Sequence, residues 1–397
     1  MALILKKSTI IYCLALVWVF IDILGGVFRE YLGFPKFTLI VRGVFFLVLL
    51  WFCFRQAKLN KSSILILVLS CFLVSLSSVH LAFYDNYDSF LISTKLLLPL
   101  LWFSAINRLM DLELISYSLL KNVVMVGAAA LLANQFLYFF DIGFSNYGVE
   151  KEALLGGTGF IFAGNEVGVT LIALFSLYLY FFSGKLLFFL GGITAFFAAS
   201  IALMSKTAIF GVFLVLFIYF IFKMKRVYAY IVILVCFPFA LFFSSFIASF
   251  LGPSISRWSY FYNEYGVIYF LGGVKRWKAI EAWFVDISSD PVKLLLGEGW
   301  TGLPENNFFD LVQGFGLLGF SIYLFYMVYV LINFRINSPD SRYFFCVIIL
   351  IFVISFFAGH VVQSALFSLY FGLIANLYVR SSRQDVKLNN DFKCSGA

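Results

Sequence analysis

Charge is what this sequence has least of. Only 12% of its 397 residues are Asp, Glu, Lys or Arg, about half the share of an ordinary soluble domain. That scarcity excludes a soluble globular enzyme, a disordered chain and a coiled coil. Histidine is nearly missing, with only His80 and His360, which argues against a His-rich metal centre. The cysteines, Cys13, Cys53, Cys71, Cys236, Cys346 and Cys394, form no close pair, and all but one lie in or beside apolar stretches. Neither a disulfide framework nor a metal site follows from them. Glycine loops of the nucleotide-phosphate type are also missing.

The chain is instead apolar and aromatic. It is 63% hydrophobic and 21% aromatic, with 53 Phe and 22 Tyr, and its mean hydropathy is +1.00. Apolar stretches long enough to cross a bilayer fall at 9–28, 37–54, 62–83, 90–106, 122–140, 159–182, 186–204, 207–222, 227–247, 308–334, 343–359 and 362–379. The fold class expected is all-α: a polytopic integral membrane protein of about twelve helices, with 1–397 as a single transmembrane domain. Lys6-Lys7 precede a first apolar run that is long, contains Asp22 and has no cleavage pattern, so it reads as an uncleaved span rather than a signal peptide. Lys and Arg crowd one set of loops, among them Lys6, Lys7, Arg55, Lys58, Lys223, Lys225, Arg226, Arg380 and Arg383. The positive-inside rule makes that set cytoplasmic and puts both termini there. The net charge of +8 therefore reflects loop anchors, and no nucleic-acid partner is expected.

One long loop, 248–307, follows the ninth span on the outer side. It holds Trp258, Trp277, Trp283 and Trp300, and the cations Lys275, Arg276 and Lys278. Val274, Trp277, Ile280 and Phe284 recur at helical spacing, which predicts a short amphipathic helix on the membrane surface. That helix can act as a lid on the bundle, or present its cations to anionic lipid headgroups, or both.

Ionisable groups at membrane depth are costly and mark cavities or pairs. Asp22, Arg42, Lys95, Glu166 and Asp310 are of this kind. Asp22 and Arg42, on adjacent spans, read first as a structural ion pair. His360 and Gln363, between the last two spans, read as turn or packing residues. Three helix starts converge on the outer face: Gly164-Asn165-Glu166, Ser205-Lys206-Thr207-Ala208, and Pro304-Glu305-Asn306-Asn307-Phe308-Phe309-Asp310. Each is an ordinary capping sequence. Together, with Lys206, Arg257 and Arg276, they make an arrangement suited to a pyrophosphate. Glu305 beside Asn306 pairs a proton acceptor with an orienting amide.

The order of Leu296-Gly297-Glu298-Gly299-Trp300, Glu305-Asn306 and Gly314-Phe315-Gly316-Leu317-Leu318-Gly319 resembles the O-antigen polymerase/ligase superfamily, most like its Wzy-type polysaccharide repeat-unit polymerases. Gly164-Asn165-Glu166 and the Ser205–Ala208 turn look like further landmarks of that family. The resemblance implies a bacterial inner-membrane glycosyltransferase of GT-C-like type, without metal or other cofactor. It would join undecaprenyl-pyrophosphate-linked oligosaccharide repeat units at the periplasmic face into O-antigen, capsule or exopolysaccharide. The partners implied are the lipid-linked glycan donor and acceptor, membrane lipids, a chain-length regulator and a flippase. Arg276, Arg257 and Lys206 would stabilise the departing pyrophosphate, and Glu305 would serve as base or orienter. Asn165, Glu166, Asn306, Asp310, Lys275, Lys278 and Trp277 would bind substrate. Family ligases typically carry His where this chain has Glu305, and often Arg where it has Lys206, which favours the polymerase. An O-antigen ligase and a polytopic glycolipid flippase or transporter remain the alternatives.

Overall fold

The computed structural model describes residues 2–54, 61–147, 155–224, 259–267, 273–288, 290–301, 306–332, 338–361 and 363–394, with 252, 256, 269 and 336 singly between them. In chain order the helices are α1 (Ala2–Leu32), α2 (Phe37–Phe54), α3 (Lys61–Tyr84), α4 (Asp88–Asp111), α5 (Tyr117–Phe136), α6 (Gly164–Phe182), α7 (Leu186–Ala202) and α8 (Lys206–Lys223). They continue with α9 (Val274–Ser288), α10 (Pro291–Leu296), α11 (Asn307–Ile332), α12 (Pro339–Ala358) and α13 (Ala365–Cys394). Among the described residues, nine helices are long and apolar enough to cross a membrane, and α7 is a shorter apolar one. The chain is thus a helical, membrane-embedded protein. The ninth predicted span, 227–247, lies outside the described residues.

Local chemistry sets the helix starts. Ser338 caps α12 in a reciprocal box with Ser341, and Pro339 occupies the first turn, where its missing N–H costs nothing. Asp290 accepts from the N–H groups of Val292 and Lys293 ahead of α10.

Hydropathy tracks position in the bundle. The α2 window has mean hydropathy 2.3 and is only 17% buried, whereas those of α4 and α6 have 1.6 and 1.5 and are 78% buried. Helices against lipid need an apolar surface all round; helices surrounded by protein can carry polar side chains that find partners. The extreme is α13, which packs on α1, α4, α6 and α12 and buries Leu366, Leu369, Tyr370, Leu373 and Ile374 completely. Its Asn376 amide donates to the carbonyls of Phe103 (2.9 Å) and Gly372 (2.8 Å). A Cβ on Gly372 would come within 2.9 Å of the Trp102 side chain, so the glycine sets how closely α13 approaches α4.

The two ends differ. One carries the Lys223–Asp340 ion pair and Arg380, which donates to Asp111 at 2.7 Å. The other carries α9, α10 and an antiparallel hairpin of β1 (Phe144–Tyr147) and β2 (Leu155–Gly159). That hairpin departs from the all-α expectation. Its second strand, Leu-Gly-Gly-Thr-Gly, has no alternating apolar pattern. It is fixed by side-chain amides at the end of α5: Asn134 donates to the Thr158 carbonyl (2.8 Å) and accepts from the Phe160 N–H (2.9 Å), and Gln135 donates to Gly157.

Candidate functional site

The site is built around the last turn of α12, at the hairpin end. Carbonyls in a helix's last turn lack intrahelical partners. Here three successive ones are taken: Ser355 by the Asn307 amide (3.3 Å), Phe356 by the Asn306 amide, and Phe357 by Nη1 of Arg276 (3.0 Å). Asn306 works in both directions, because its Oδ1 also accepts the Phe308 N–H at 3.1 Å and so caps α11. Arg276 thus places its guanidinium at the negative end of a helix dipole.

The amphipathic helix predicted near 274–284 exists as α9, but its seam differs from the one expected. Phe284 is 62% exposed, while Ile280, Trp283 and Ile287 are buried. Trp277 and Trp283 press on Phe309 with ring centroids 6.5 and 6.0 Å apart, and Trp277 also meets Phe356 at 6.4 Å. Positions 277, 280, 283 and 287 form one stripe against the protein, and Phe284 falls beside it on the exposed side. Trp277 is a packing residue between helices. Lys278 is exposed, with its ammonium 6.0 Å from the Tyr265 ring centre.

The motif segments come together in space. The Glu298 N–H donates to the Gln313 carbonyl (3.0 Å), and the Gln313 amide returns to Glu298 Oε1 (2.9 Å). His80 Nε2 lies 3.0 Å from the Leu296 carbonyl, Asn86 donates to the Trp300 carbonyl (2.9 Å), and Trp300 N–H donates to Ser89 Oγ (3.1 Å). Two glycines permit this. Gly316 interrupts α11 with φ 68° and ψ 177°, a region open essentially to glycine alone, and a Cβ there would strike the Leu295 carbonyl. Gly299, at φ 89°, lies against Asn86.

Asp310, with its side chain fully buried, approaches His360: Oδ2 and Nδ1 are 3.4 Å apart. His360 also contacts Gln363 Oε1 at 3.4 Å, and its ring lies 5.4 Å from that of Trp300. Its backbone sits at φ 50°, a strained value for a residue with a side chain. Four residues on, Ser364 donates to Glu166 Oε2 (2.7 Å) and caps α13 by accepting the Phe367 N–H (3.2 Å). The 359–364 connection thus links Asp310 on one side to Glu166 on the other. The sequence places His360 and Gln363 as turn or packing residues; the contact with Asp310 is visible only in three dimensions.

Of the residues expected at a site, Arg276, Trp277, Asn306 and Asp310 are brought together. Asn165 and Glu166 open α6, and Lys206 opens α8. Ser205, before Lys206, lies about 4.0 Å from where a Cβ on Gly168 would be, so those two helix starts are neighbours. Arg257, Glu305 and the side chain of Lys275 lie outside the described residues. Asp22 and Arg42 do form their ion pair. Among the described residues, no three His, Cys, Asp or Glu side chains group as a metal site would. No protein-family model, curated protein or solved structure matches the chain.

Proposed function

We propose that the chain is a twelve-span inner-membrane glycosyltransferase of GT-C-like type, with both termini cytoplasmic and the hairpin end periplasmic. It joins undecaprenyl-pyrophosphate-linked repeat units into a surface polysaccharide. The observation that supports this reading is the packing of the 296–300 segment against 313–316, in the helix that Asn306 caps and Asn307 opens. They fall within the stretches 296–300, 305–310 and 314–319 that resemble the polymerase/ligase superfamily, and Trp277 and Trp283 of α9 rest on Phe309 in the second of them.

In the reaction, an acceptor sugar hydroxyl forms a bond to the anomeric carbon of the donor glycan. The bond from that carbon to the pyrophosphate oxygen breaks, and undecaprenyl pyrophosphate leaves with the electron pair. Lys206, Arg257 and Arg276 are assigned to the charge growing on the leaving group. The hydroxyl proton passes to Glu305 or to His360. His360 suits the role because buried Asp310 can orient its ring and hold the charge it acquires.

The deciding experiment is the glycan profile of a deletion strain, with activity measured on the purified protein. Deletion cells are expected to carry single repeat units and no polymer. A surface lacking even single units would identify a ligase. Purified protein is expected to join lipid-linked repeats in detergent without any ion gradient; failure there, with transport in vesicles, would identify a flippase and reject this reading.

A further inference from the structure

Away from α12, at the same end of the bundle, α2 and α4 part to leave a cavity of about 270 Å³. Its polar lining comes from Thr38, Arg42, Thr94 and Lys95, and Ala365 closes the back; the remaining walls are mainly leucine and phenylalanine. Arg42 lies five residues into α2 and Lys95 seven residues into α4. At 1.5 Å per residue these positions are roughly 8 and 10 Å below the helix ends, the level where headgroups meet acyl chains. The cavity adjoins lipid: α2 is the least buried of the spanning helices, and Leu39 on the cavity wall is half exposed.

The charges in it are only partly used. Arg42 gives Nη2 to Asp22, while its Nε is buried with no hydrogen-bond partner among the described residues. Lys95 is within electrostatic reach of Asp22 but makes no hydrogen bond or ion pair to a described residue. Asp22, the carboxylate paired with Arg42, is not part of the lining. Ala365 is the first residue of α13, so the positive end of that helix dipole adds to the field. Beside the mouth, Ile40, Val44 and Leu47 form an exposed apolar stripe along α2.

We infer that this cleft binds the phosphate group of an anionic membrane lipid. Lys95 holds the phosphate oxygens, Arg42 adds its charge from the wall, and the acyl chains lie along the α2 stripe. The inference does not rest on the glycosyltransferase reading, since it concerns binding and a separate pair of helices.

The test uses the full chain in a neutral detergent and native mass spectrometry with phosphatidylglycerol or phosphatidylcholine of identical acyl chains. Wild type is expected to retain phosphatidylglycerol at least fivefold better. Lys95→Gln should lower that preference roughly fivefold, the usual weight of one basic residue near an anionic surface, and Lys95→Arg should keep it. Arg42→Gln alone strands Asp22 and can fail to fold, so it is made together with Asp22→Asn; this double variant should lose the preference as well. Equal retention of the two lipids by wild type, or an unchanged preference in Lys95→Gln, overturns the inference. So does protection against thermal unfolding by sodium phosphate that matches that by phosphatidylglycerol, because the site would then take a free anion.

Discussion

His360 holds a left-handed backbone that costs of order 1–3 kcal/mol, and contacts to Asp310, Gln363 and Trp300 keep it there. Strain kept at such a place separates stability from function. On the glycosyltransferase proposal, His360→Gly is expected to leave thermal stability unchanged or higher while polymer formation falls roughly 10²- to 10⁴-fold, the weight of a general acid–base group. Melting curves in detergent and the rate of repeat joining check the two halves; an active glycine variant would remove His360 from the chemistry. A second residue-scale consequence concerns pH. Lys293 is held protonated by hydrogen bonds to Glu298 and Asp286, which raise its pKa above the ordinary lysine value. A raised pKa contributes stability that is complete below the unfolded value and is lost as pH climbs through the folded one. The Lys293–Glu298 tie should thus persist at neutral pH and open only above about pH 10.4, read as faster proteolysis of the 290–300 stretch that Lys293→Gln reproduces at pH 7. At this scale the Asp22–Arg42 pair could be read from the sequence, because two unlike charges on neighbouring spans have few other places to go. The His360–Asp310 contact could not, because fifty residues and a helix separate the partners.

Among elements, α9 shows how far periodicity reaches. Helical spacing located it, but a helix with Trp283 and Phe284 side by side has two equally apolar seams, and only the surface it meets selects one. Phe309 and Phe356 select Trp277 and Trp283. Trp283→Ala is expected to cost about 3–5 kcal/mol, whereas Phe284→Ala should stay within about 0.5 kcal/mol, both measured by unfolding in detergent. The hairpin was illegible for a different reason: its pairing depends on Asn134 and Gln135 from α5 rather than on its own side chains. The glycines of the 296–316 region were visible as a motif, but the need for them is conformational. Gly316→Ala should destabilise by at least about 1–3 kcal/mol and detach the 295–300 loop, seen as new protease cleavage there.

For the whole molecule, hydropathy located the nine described helices that are long and apolar enough to cross a membrane, but not their neighbours. The physical cause is the graded burial itself, since α2 advertises its place against lipid while α4, α6 and α13 mute theirs. Orientation is testable directly. Phe162 is 62% exposed at the hairpin end, and Lys185 is exposed at the other. Phe162→Cys should react with an impermeant maleimide in intact spheroplasts, and Lys185→Cys only after lysis; the reverse pattern inverts the topology. The enclosed position of α13 also bears on biogenesis. It leaves the ribosome after every helix that surrounds it, and with Ser368 and Asn376 buried in its length it is poorly suited to partition into lipid by itself. The earlier helices must stay apart, or be held apart, until it arrives. A nonsense codon just before Ala365 would therefore remove no dispensable tail. It would leave a ring without a hub, a natural target for membrane proteases.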